Sequence, residues 1–99
     1  MYAADMAAWL RALLARGEAG RAYNVGASAR VTIADLARRV ARSVDPACSV
    51  EVRGVPLAGA DADRYIPDVS LATGSLGLRE TISLNEGIAR TVQWHRGVA

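Results

Sequence analysis

An α/β chain is what the sequence predicts, on two observations. Four stretches carry apolar residues at helical spacing beside capping signals, and two short Val- and Tyr-containing runs flank the second of these stretches. The order that follows is α-β-α-β-α-α, a small unit of four helices and two short parallel strands joined by a right-handed crossover. Hydrophobic residues make up 52% of the 99 positions and charged residues 22%, and neither a linker nor a low-complexity tract divides them. A single domain over residues 1–99, folded around a small core, is therefore expected.

Met6, Trp9, Leu10, Leu13 and Leu14 fall at i, i+3, i+4, i+7 and i+8, which predicts a helix over about Ala4 to Arg16 with Gly17 as its stop. The run Ala22 to Val25, broken by Gly26, reads as the first strand. Thr32 with Asp35 three positions later resembles a capping box ahead of Ile33, Leu36, Ala37, Val40 and Val44, so a second helix spans about Ile33 to Ser43. Asp45-Pro46 ends it. Ser49 to Val55 alternates valine with polar residues and reads as the second strand.

Pro56 to Asp68 has no periodicity and reads as an ordered surface loop. Val69, Ala72 and Leu76 mark a short third helix, capped by Asp68 or Ser70 and stopped by Gly77, with Leu78 closing the end hydrophobically. Ser83 and Glu86 form a capping box for a fourth helix from Leu84 to about Arg96, whose apolar face includes His95.

Composition removes several classes of function. All twelve basic residues are Arg, dispersed among ten acids for a net charge of +2, and no basic run interleaved with aromatics gives nucleic-acid binding its electrostatic footprint. The single cysteine, Cys48, permits no internal disulfide, reads as a small buried apolar residue, and fits a reducing, cytoplasmic compartment. Asp5, Arg11 and Arg16 interrupt the amino-terminal apolar segment, which lacks a basic leader and predicts neither a signal peptide nor a membrane span.

The strand, glycine and capped helix of AYNVGASARVTIADLARRV, Ala22 to Val40, have the form of a phosphate-binding turn. A dinucleotide fingerprint needs three glycines, however, and after Gly26 the later positions hold Ser28 and Val31. His95 and Cys48 lie far apart on different elements, so no metal-ligand cluster forms, and no nucleophile elbow supports a triad. Asp61, Asp63 and Asp68 read as loop charge and, for Asp68, a cap, in preference to an acid-base pair. With no lysine present, Schiff-base chemistry and Tyr-Lys proton relays are closed to these residues.

Three blocks in order, YAADMA at Tyr2 to Ala7, YNVG at Tyr23 to Gly26, and DRYIPDVSLATGSLGL…SLNEGIARTVQWHR from Asp63 to Arg96, resemble the C-terminal part of the extended short-chain dehydrogenase/reductases. This is the NAD-dependent epimerase/dehydratase family acting on nucleotide sugars. The resemblance implies a substrate-binding portion whose NAD(P) and catalytic Tyr-x-x-x-Lys pair belong to a separate Rossmann domain. It therefore implies no catalytic and no cofactor-binding residue in this chain.

The resemblance also points to substrate residues. Asn24 matches an asparagine that in some members touches the substrate nucleotide; its other reading is a turn residue bonding its own backbone. Asp61, Arg64 and Asp68 match a D-x-x-R-x-x-x-D pattern, in which Arg64 either grips a diphosphate with two parallel bonds or pairs with Asp61 or Asp68. The chain departs from the family at Ala58, where an arginine is common, and at Ser28 and Leu71. The implied partners are a nucleoside-diphosphate sugar and the Rossmann domain. A second class of function stays open beside these, a non-catalytic module that associates with itself or another protein through uncovered apolar helix faces.

Overall fold

A computed structural model describes residues 1–61 and 63–98. Among them the chain forms four helices, α1 (Ala3–Arg16), α2 (Ile33–Val44), α3 (Ser70–Leu76) and α4 (Leu84–Val98), and no strand. This corrects the α/β class and its parallel pair. The four helices fall where the periodicity and caps put them; the two β-type runs do not pair.

The reason is physical. Strand propensity measures fit to a pleated, half-buried surface beside a partner, and it is conditional on that partner. Ser49 to Val55 is largely exposed, Val52 and Val55 included. Glu51 and Arg53 pair side by side at 3.1 Å, as residues two apart do on one side of an extended chain. Ala22 to Val25 uses side-chain anchors, described below, in place of a ladder.

The chain divides into two compact units, one of Met1–Ala29 with Ile66–Gly87 and one of Arg30–Tyr65 with Ile88–Ala99. In the first unit α1 packs against α3, with Trp9 2% exposed and Ala72 fully buried. The stripe expected on α1 is split: Trp9 is buried, while Met6, Leu10 and Leu14 are exposed. Because α1 is apolar around much of its circumference, spacing alone does not choose its inward face. That face carries Asp5 and Trp9, one turn apart.

Gly17 ends α1 through close approach. Its N–H donates to the Leu13 carbonyl at 2.8 Å, and a Cβ there would lie 2.4 Å from the same oxygen. Gly77 ends α3 by a different route, with φ at 65°, the left-handed region that glycine enters without strain. The half-buried Leu78 donates its N–H to the Ala72 carbonyl at 3.4 Å, and the Arg79 guanidinium donates to the carbonyls of Thr73 and Leu78 at 3.3 and 3.0 Å.

In the second unit Thr32 caps α2, its Oγ1 accepting from the Asp35 N–H at 3.1 Å. Asp35 in turn accepts from Arg38 at 3.0 Å. Asp45 closes the other end: its N–H donates to Ala41, and its carboxylate accepts from the Ala47 N–H at 2.8 Å. Arg96, in the last turn of α4, donates to the Val44 carbonyl. No described residue of this unit is buried. Cys48 and His95, read from sequence as buried or partly buried, are both exposed.

Candidate functional site

Asn24 sits in the first unit on an extended segment held at both ends. The Tyr23 hydroxyl accepts from the Glu18 N–H at 3.0 Å, and Glu18 pairs with Arg21 at 2.7 Å. The Asn24 amide donates to the Asp68 carbonyl at 3.0 Å, across 44 residues of chain. This is neither of the two roles read from the sequence. One Nδ2 hydrogen is committed to a distant loop, and the carboxamide still offers Oδ1 and a second N–H.

Gly26 lies against Pro67, whose Cγ would be 2.7 Å from a Cβ built at this glycine. The close approach of this proline ring is what requires a residue without a Cβ at position 26. With Ser28 and Val31 at the later positions, the residues of this turn do not fit a nicotinamide dinucleotide. Asp68 finishes the segment. Its carboxylate accepts from the Ser70 N–H at 3.0 Å, and the Ser70 hydroxyl, then that backbone N–H, hold its carboxyl below the usual range. The cap position of α3 is nevertheless Val69, without a side-chain bond, and not Asp68 or Ser70 as the sequence suggests; Asp68 lies two residues before the first residue of the helix.

Asp61 and Arg64 belong to the second unit, on the segment between α2 and α3, and both are exposed. Among the described residues no ion pair joins Arg64 to Asp61. Tyr65 beside it is 95% exposed. No group of three or more His, Cys, Asp or Glu able to hold a metal occurs among the described residues. None of the described helices is long and apolar enough to cross a membrane.

Sequence reasoning missed one organising residue. Asp5, 4% exposed, accepts from the Thr81 hydroxyl at 2.6 Å and from the N–H groups of Thr81 and Ile82, each at 2.9 Å. The Thr81 hydroxyl first, then the Ile82 amide, hold its carboxyl below the ordinary value, against burial, which pushes it up. Trp9, one turn on, donates its indole N–H to the Arg79 carbonyl at 3.1 Å. The available signal was an acid set between Ala4 and Met6 on an otherwise apolar turn.

No family model matches the chain, and no solved structure matches it. Among curated proteins it is similar to segments of sugar-nucleotide dehydratases and decarboxylases. It is 26% identical to the dTDP-glucose 4,6-dehydratase of Streptomyces niveus over 97% of this chain and 28% of that protein. With the UDP-glucuronic acid decarboxylase 1 of Arabidopsis thaliana it shares 32% over 92% of the chain and 20% of the relative. With the dTDP-D-glucose 4,6-dehydratase of Mus musculus it shares 29% over 97% and 28%. The chain thus spans between a fifth and just over a quarter of the length of the curated relatives it matches.

Proposed function

We propose that this chain is the substrate-binding portion of an NAD(P)-dependent enzyme of the nucleotide-sugar epimerase/dehydratase class, with no catalytic group of its own. The observation that carries the reading is the coverage: the similarity to the three sugar-nucleotide enzymes takes in 92% of the chain or more. Arg64 grips the diphosphate with parallel N–H donors, and Asp61 accepts from a sugar hydroxyl. NAD(P), in this reading, is held by residues outside these 99, because the turn after Gly26 carries Ser28 and Val31 where a dinucleotide fingerprint has glycines.

Calorimetric titration of the chain with UDP, dTDP and NAD tests the proposal. Binding of a nucleoside diphosphate, weakened about tenfold by Arg64→Ala, is expected; tenfold corresponds to about 1.4 kcal/mol, in the range of a charged hydrogen bond. Binding of NAD, turnover of a nucleotide sugar by this polypeptide, or silence toward both diphosphates at millimolar concentration would each overturn it. The exposure of Met6, Leu10 and Leu14 on α1 favours a second reading, a non-catalytic module that associates through apolar helix surface.

A further inference from the structure

Two stretches of the first unit, Tyr23 to Gly26 and Pro67 to Ser70, are fastened to each other at successive points. Asn24 donates from Nδ2 to the Asp68 carbonyl at 3.0 Å, and the Pro67 ring lies so close to Gly26 that its Cγ would stand 2.7 Å from a Cβ there. Tyr23, next to Asn24, accepts at its hydroxyl from the Glu18 N–H at 3.0 Å. Beyond the carbonyl, the Asp68 carboxylate accepts from the N–H of Ser70, the first residue of α3. An asparagine that donates to a main-chain oxygen 44 residues away, beside a glycine fitted to a proline ring, forms a brace between two pieces of backbone.

The brace bears on Arg64 along the chain. Arg64 stands four positions before Asp68, and the first unit resumes at Ile66. Proline fixes φ at position 67, and its ring confines the preceding Ile66 to extended backbone. Of the three residues between Arg64 and Asp68, only Tyr65 therefore has two unrestricted backbone angles. A guanidinium makes two parallel bonds to a phosphate only when its planar fork meets the oxygens at the right angle, so the course of the backbone beneath it decides how well it grips.

We infer that Asn24 is a positioning residue of the proposed diphosphate site: by holding the Asp68 carbonyl it fixes the backbone from which Arg64 extends, and it acts on the ligand through Arg64. The inference rests on the reading of Arg64 given above, and within that reading it makes Asn24 a support in place of a nucleotide contact. A carboxamide suits the task, because it is a neutral donor and holds a carbonyl without adding charge near an anion.

Calorimetric titration of the chain with UDP and with inorganic pyrophosphate tests it, on two variants whose helical circular dichroism is checked first. Asn24→Ala removes the donor, and Pro67→Gly frees the backbone between Asp68 and Arg64 while leaving Asn24 in place. Each is expected to weaken UDP and pyrophosphate by the same factor, about fivefold, the worth of one ordinary hydrogen bond. In a chain that already carries Arg64→Ala, Asn24→Ala is expected to cause no further loss, because the residue through which it acts is gone. A loss for UDP that spares pyrophosphate, losses that add in the double variant, or unchanged binding by both variants would overturn the inference and leave the reading of Arg64 standing. Silence of the unsubstituted chain toward the diphosphates would overturn that reading and this inference together.

Discussion

The two units of this chain are held by different means. The unit of Met1–Ala29 and Ile66–Gly87 contains every buried residue of the described chain, Asp5, Trp9, Ala72 and Gly87. It closes with bonds that reach 70 residues from Trp9 to Arg79 and 77 from Asp5 to Ile82. The unit of Arg30–Tyr65 and Ile88–Ala99 buries none of its described residues; its bonds at Thr32, Asp35, Asp45 and Glu51 span two or three positions, and Arg96 reaches the Val44 carbonyl. A capped, periodic helix can thus form in either setting. Burial depends on side chains that reach across the sequence to satisfy distant backbone groups.

The contrast breaks most readily at Trp9. Truncation to alanine removes a buried indole and its bond to Arg79, with an expected loss of about 3 kcal/mol by chemical denaturation. The same truncation at the exposed Trp94 is expected to be close to neutral. If the two cost the same, the difference between the units is not one of packing.

Asp5→Asn comes next, and its signature is in pH. The folded carboxyl sits below its ordinary value, so the unfolded chain takes up the proton first. Its contribution is therefore complete above the ordinary carboxylate range and is lost as pH falls toward the lower folded value. Wild-type stability is expected to drop below about pH 4, and Asp5→Asn should be less stable at neutral pH with a flatter acid limb, measured by thermal melts from pH 7 to pH 2.

Thr32→Ala removes the cap of α2 and is expected to cost about 1 kcal/mol, read as a loss of helicity in the second unit while Thr81 and Ile82 amides keep their exchange protection. The smallest effect belongs to the unpaired run. Val52→Ser and Val55→Ser are expected to change stability by less than about 0.5 kcal/mol, and the amides of residues 49–55 to exchange at unprotected rates. Protection in alternate residues there would restore a ladder that the structure lacks.

What was legible in the sequence follows the same division. Local chemistry was readable: Thr32 with the Asp35 N–H, Ser83 accepting from the Glu86 N–H, and Gly77 in its left-handed turn are all bonds or angles made within a few residues. Pairing was not readable, because a valine-rich run has the same pattern with or without a neighbour, and β structure needs the neighbour. The inward face of α1 was unreadable for a related reason, since its partner at Thr81 lies 76 residues away and leaves no periodic trace. For the candidate site, the sequence singled out Asn24 but not its attachment to Asp68, which spans 44 residues.

The two tryptophans fall one to each unit, Trp9 at 2% exposure and Trp94 at 63%. An indole packed away from water emits at shorter wavelength than one bathed in it, and the second has little further to shift. The wavelength of the chain's intrinsic emission therefore records the melting of one half and is nearly blind to the other, while far-ultraviolet dichroism weighs the helices of both. Any gap between those two curves measures how independently the halves come apart, with no label attached.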